Sequence, residues 1–167
     1  MNIFAVLRFL HIVAGIIWAG GGLLMYFVFA PAIAATGDAG KQYAGYLITK
    51  TPFTKIMLVA GVTTVAAGSW LYGIDSSWFQ SNWMMTGQGT VFGMGGMFGI
   101  AALVFGFMVG NVNSRLAMLG GQIQGKPTAE QAAELGALAK RQAWVSKANA
   151  WCIIVAVVMM ASARFFA

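Results

Sequence analysis

Charged side chains fall along this chain in clumps, and the apolar stretches between them set its architecture. Residues 9–37 carry no charge, nor do 56–74, 76–114 or 148–163. A bilayer core of about 30 Å needs about 20 predominantly apolar helical residues. Three gaps meet that length, and the fourth does so when Lys147 and Arg164 snorkel at its ends. The third gap opens with Ser76-Ser77-Trp78-Phe79-Gln80-Ser81-Asn82, so it holds a loop and then one helix. The pattern predicts four spans, at 3–30, 53–72, 90–112 and 146–166, in one domain covering 1–167. Only helices or closed barrels satisfy the backbone in lipid, and these runs are too long and evenly apolar for alternating barrel strands. The expected fold is an all-α membrane protein, a four-transmembrane-helix bundle.

The segments between the spans add detail. The first helix is expected to end at Ala30-Pro31. Residues 36–52, with Tyr43, Tyr46, Leu47 and Ile48 among glycines, read as a short amphipathic piece lying at the membrane interface. Trp78 and Trp83 join Trp70 in an aromatic belt on the opposite side. Beyond Asn111 the helical pattern continues through Arg115, Leu116 and Leu119 to Gly120-Gly121, an expected C-cap. Thr128 and Gln131 have capping-box spacing. From 129 to 166 there is no proline and only Gly136 among glycines, so one helix can run for about 57 Å. This predicts a cytoplasmic helical hairpin extension between the third and fourth spans. The third span is glycine-rich, with small-xxx-small pairs at 89/93, 95/99 and 106/110. Such pairs let helices approach closely; packing within the bundle, a dimer face and room for a flat ligand all use them.

Composition narrows the class. The chain is 59% apolar and 8% charged, against roughly 25% charged in soluble domains. This excludes an ordinary soluble enzyme, a disordered tail and a secreted disulfide scaffold. The first and third loops together carry Lys41, Lys50, Lys55, Arg115, Lys126, Lys140, Arg141 and Lys147, while the other side has only Arg8 and Arg164. The positive-inside rule then puts both loops in the cytoplasm and both termini in the periplasm. The net charge of +6 is a topology signal. Its dispersal among Ala and Gly argues against a nucleic-acid partner and for the lipid bilayer, with a homodimer or larger membrane complex open. Ala32-Ile33-Ala34 has a cleavage-site look, but the apolar run before it is about twice a signal-peptide core, so the first helix is expected to stay. The lone cysteine, Cys152, reads as a small buried apolar residue.

Few residues offer chemistry. The chain has one histidine and four acids, Asp38, Asp75, Glu130 and Glu134. His11 lies in the outer half of the first helix, on a stripe reading Arg8, His11, Gly15, Trp18, Gly22, Tyr26 at helical spacing. Ionisable residues in a span are costly and face a bundle interior or a cavity, so the stripe should face inward. Three roles stay open for His11: a structural hydrogen bond, a ligand to a metal or haem iron, and proton transfer. Trp18 is core filler or a cofactor wall. Arg8 and Arg164 snorkel or clamp an anion such as a haem propionate, and Asp75 can pair with Arg8. Of eleven methionines, Met1, Met84, Met85, Met94, Met97, Met159 and Met160 gather on the outer side with His11. Imidazole with thioether suits Cu(I), with His11, Met94, Met97, Met159 and Met160 as the candidate metal ligands. Lys55 reads as a topology marker.

The segment Leu10-His11-Ile12-Val13-Ala14-Gly15-Ile16-Ile17-Trp18-Ala19-Gly20-Gly21 resembles the first helix of CopD-like bacterial membrane proteins. It is also similar to the opening of HemJ-type protoporphyrinogen oxidases. The CopD-like resemblance implies an inner-membrane protein of largely unknown function concerned with copper. The HemJ-like resemblance implies a haem-b-binding oxidoreductase with the first-helix histidine, here His11, on iron and a lysine also important. Lys55, in Lys55-Ile56-Met57-Leu58, matches that lysine's context in part and lacks its preceding Trp. The expected function is copper- or haem-related binding or transport through His11. The alternatives are a HemJ-like oxidoreductase and a cofactor-free assembly or packing subunit.

Overall fold

The computed structural model describes residues 2–123 and 125–166. Every regular element among them is helical. The chain runs α1 (Ile3–Leu24), a widened π turn (Met25–Phe29), α2 (Ala30–Ala35), α3 (Gly37–Lys50), α4 (Phe53–Asp75), a short 3-10 turn (Asn82–Met85), α5 (Gly87–Gln122), α6 (Ala129–Ser162) and a final 3-10 turn (Ala163–Phe166). Four helical stretches are long and apolar enough to cross a membrane: Ile3–Ala35, Phe53–Asp75, Gly87–Gln122 and Ala129–Phe166.

Two boundaries differ from the sequence expectation. The first long helix does not stop at Pro31 but continues to Ala35. Proline removes one N–H and crowds the carbonyl four residues back, Phe27. The turn holding Phe27 is widened to the π form, which gives the ring room and lets the helix go on. The true break comes at Gly37, whose φ of +58° suits a residue without Cβ. There the chain folds α3 back onto α2 so closely that Gly40 sits against the Ile33 backbone. At the other boundary, α5 passes through Gly120-Gly121 and ends after Gln122. Helix α6 begins where its signals place it. Thr128 Oγ1 accepts from Gln131 N at 3.2 Å, and Gln131 Oε1 accepts from Thr128 N at 3.0 Å. The segment expected as a short amphipathic piece is helical, as α3, and the predicted long last helix runs unbroken through Gly136.

The helices pack as two antiparallel pairs, α1 with α4 and α5 with α6, joined through α4–α5 and α1–α6. At the junction each long helix contributes one buried residue: Trp18, Ala60, Ala102 and Ile153. Two of the four are large, so the indole of Trp18 and the side chain of Ile153 fill the space that two alanines leave. Small residues set the spacing elsewhere. A Cβ on Gly61 would lie 3.0 Å from Trp18 Nε1, and one on Gly22 would lie 3.0 Å from Ile153 Cδ1. In lipid there is no hydrophobic drive between helices, so such close van der Waals contact and interhelical hydrogen bonds carry the association. Among the described residues, three side chains supply such bonds: His11 from α1 to α4, Tyr72 from α4 to α5, and Asn149 from α6 to α5.

Between α4 and α5 the loop makes a left-handed turn. Ser77, Trp78 and Phe79 have φ of 50°, 57° and 71°, each costing about 1–2 kcal/mol for a residue with a Cβ. The turn is held by Trp78 N donating to Gly73 O at 2.6 Å and by the buried Ser76 hydroxyl, which accepts from Phe79 N at 3.1 Å. It brings Trp78 edge-on to Trp70, with centroids 5.9 Å apart, while Tyr72 meets Trp83 at 5.4 Å. Of the three tryptophans expected as a belt, Trp70 and Trp78 are thus in contact, while Trp83 packs on Tyr72.

Candidate functional site at His11

His11 is the one titratable side chain on the inward face of α1, and two residues of α4 build its seat. Its Nδ1 lies 2.8 Å from the backbone oxygen of Thr64. A carbonyl oxygen only accepts, so Nδ1 carries the proton and donates. In a neutral imidazole Nε2 is then a bare acceptor. Thr64 is buried and its own hydroxyl donates back to Ala60 O at 2.7 Å, so this stretch of α4 is tied in place. The second element is Gly68, one turn further on. A Cβ there would come to 2.6 Å from His11 Cε1 and 2.7 Å from Nδ1. The ring reaches the Thr64 carbonyl because residue 68 has no side chain.

The stripe expected to face inward does so from His11 to Gly22. Gly15 faces Thr64, Trp18 faces Gly61, and Gly22 faces Ile153 and Asn149. Trp18 is 8% exposed at the junction of all four helices, where it fills the core. Arg8 is exposed at the start of the stripe. Among the described residues it makes no ion pair with Asp75. Arg164 is exposed too, its guanidinium 5.0 Å from the Phe165 ring centroid.

Helical rise places the methionines. Counting seven residues from each member of the central quartet leads to His11, Ala67, Gly95 and Met160. Each step is about 10.5 Å along its axis, toward the same end of the bundle. A Cβ on Gly95 would touch Met159 Cβ at 3.2 Å and Met160 Cε at 3.3 Å, which fixes that level between α5 and α6. Met159 and Met160 are half-buried there, and by this count lie near the level of His11. Met94 and Met97 are not gathered there. They are 44% and 72% exposed, on the outward side of α5. Met1 lies outside the described residues. Met57 opposes Gly21, so Lys55 stands beyond the far end of that seam, more than about 15 Å along the axis from His11.

Sequence reasoning selected His11 and overlooked its seat. The signal was present, because Gly61, Thr64 and Gly68 recur at helical spacing on one face of α4. Among the described residues, no three His, Cys, Asp or Glu side chains cluster as a metal cage. A ligand set here would consist of one imidazole with thioethers, the combination that soft Cu(I) accepts. No known protein family, curated protein or solved structure matches the chain. The resemblance to CopD-like and HemJ-type proteins therefore rests on the dozen residues around His11 and Trp18.

Proposed function

We propose that this protein is a CopD-like protein of the bacterial inner membrane that binds copper as Cu(I) through Nε2 of His11. The observation that carries this reading is the Nδ1–H bond to Thr64 O at 2.8 Å. Metal-ligating histidines donate their other ring N–H to a fixed acceptor, which sets the tautomer and raises the basicity of the ligating nitrogen. Met160 and Met159, at the same level, are the thioethers best placed to complete the set. Soft, redox-tolerant thioether and imidazole donors favour Cu(I) over hard cations. Arg8 and Arg164, toward the same end of the bundle as His11, would favour anions there.

The distribution of Lys and Arg supports the orientation. The basic loops, including the extension of α5 and α6, lie in the cytoplasm, and both termini and His11 lie toward the periplasm. The same bare nitrogen would suit haem b iron. The oxidase reading has less support, because Lys55 stands far from His11.

The test is a Cu(I) titration of detergent-purified protein against a colorimetric chelator, with absorption spectra before and after dithionite. One Cu(I) per chain, lost in His11→Ala and weakened in Met160→Leu, is the expected result. A Soret band that vanishes in His11→Ala would replace copper with haem. Neither copper nor a Soret band would leave a cofactor-free assembly or packing subunit.

A further inference from the structure

On the outer side of the α1–α4 pair, away from His11, a shallow groove of about 390 Å³ runs between the helices. Its floor is made by Ala14 and Ala60, buried residues too small to fill the seam. Its walls include Val13 and Ile17 from α1 and Ile56 and Val59 from α4, all exposed. The lining is almost wholly apolar, and its one charged member is Lys55, in the first turn of α4. The volume is two to three times that of a cavity of about 150 Å³ that holds one benzene ring, which suits a hydrocarbon chain rather than a compact ring.

Two features point to the occupant. Both walls belong to helices long and apolar enough to span a membrane, where acyl chains would surround the groove. Among the described residues the charge at its end has no ion-pair partner, the one salt bridge joining Lys41 to Asp38. An unpaired ammonium at the edge of a bilayer attracts phosphate and anionic headgroups.

We propose that this groove is a binding site for one anionic phospholipid, its acyl chain lying on Ala14 and Ala60 and its headgroup phosphate on Lys55 Nζ. The site is separate from His11 and does not depend on the copper reading. Charge selects the lipid class, and the groove fixes one copy rather than a diffuse annulus.

Native mass spectrometry of the detergent-solubilised full chain tests this, with phosphatidylglycerol and phosphatidylcholine of matched chains added in turn. The wild type should retain one phosphatidylglycerol about fivefold more strongly than phosphatidylcholine. That is the factor given by about 1 kcal/mol per basic residue at a membrane surface. Lys55→Ala should bring the ratio to about one, Lys55→Arg should keep it, and Lys55→Glu should reverse it. Val13→Trp, which fills the groove from an exposed position, should lower retention of both lipids. If that variant misfolds by circular dichroism, the Lys55 series decides alone. A phosphatidylglycerol preference unchanged in Lys55→Ala and Lys55→Glu would overturn the proposal. So would a lipid-free dimer that Val13→Trp disrupts, which would give the groove to a second copy of the chain.

Discussion

The seam between α1 and α4 and the seam between α5 and α6 are each tied by one polar side chain that reaches a backbone carbonyl across the interface. On α6, Asn149 Nδ2 donates to Ala102 O at 2.6 Å. On α1, His11 Nδ1 donates to Thr64 O at 2.8 Å. Both are partly buried, and both make the interhelical bond that lipid-exposed helices use for association. They differ in what remains after the bond is made. Asn149 keeps an amide oxygen, a neutral acceptor with weak affinity for a soft metal. His11 keeps an imidazole nitrogen with a free lone pair, and a glycine on the facing helix makes room for its ring. A polar residue inside a span is therefore not functional by virtue of being there. The unused valence of the side chain, and the space around it, separate a structural tie from a candidate ligand.

The comparison can be broken most severely where the two seams join. Trp18→Ala empties the junction of all four helices, and loss of a buried large aromatic costs about 3–5 kcal/mol. Unfolding in graded SDS should show both pairs destabilised together. A loss confined to α1 and α4 would mean that the pairs are independent.

Gly68→Ala comes next. The new Cβ would sit 2.6 Å from His11 Cε1, so the ring must leave its seat. Overpacking of this kind costs about 1–3 kcal/mol. Ligand binding should be lost although His11 is intact. Gly99→Ala is the control, since nothing lies within 4 Å of its Cβ position, and it should change neither stability nor binding.

A subtler pair asks whether the two ties are energetically alike. His11→Ala and Asn149→Leu should each cost about 0.6–2 kcal/mol, the range for hydrogen bonds between membrane helices. Only His11→Ala should abolish copper or haem binding. Equal loss of ligand in Asn149→Leu would show that the distinction between the seams is false.

The smallest effect lies outside both seams, on α3. Asp38 is held below the usual carboxylate range by its hydrogen bond to Lys41, at 2.9 Å, and by that lysine's charge. A lowered carboxylate pKa contributes stability above the unfolded value and loses it as pH falls through the lowered one. The pair is highly exposed, so folding stability should not change measurably. Carbon-detected NMR titration of Lys41→Ala should show the Asp38 carboxyl moving back up toward its ordinary range. No movement would mean that the pair does not form in solution.

Much of the helical layout was legible in the chain itself. Gaps between charges located four long apolar helices, and the capping box at Thr128 and Gln131 placed the start of α6 to the residue. Local rules were misleading where two of them competed. Pro31 reads as a stop, yet a widened turn lets the helix continue through it to Gly37. Gly120-Gly121 reads as a cap, yet helical bonding runs two residues past Gly120. The inward stripe from His11 to Gly22 was visible as a period along α1. Its counterpart of Gly61, Thr64 and Gly68 went unnoticed, because nothing in a single helix says which face of a neighbour it will meet.

By itself, then, the sequence determined the length, number and apolar character of the helices, because backbone satisfaction in lipid and the 3.6-residue period are local constraints. It also singled out His11, the chain's one histidine, set in an apolar run. Only the tertiary structure decided which nitrogen of that histidine is engaged, that Gly68 makes its seat, that Met159 and Met160 pack against Gly95 and that Met94 and Met97 face outward. These depend on register and rotation between helices far apart in the chain. Close packing of glycine and alanine faces fixes that register, and it cannot be read from any one helix alone.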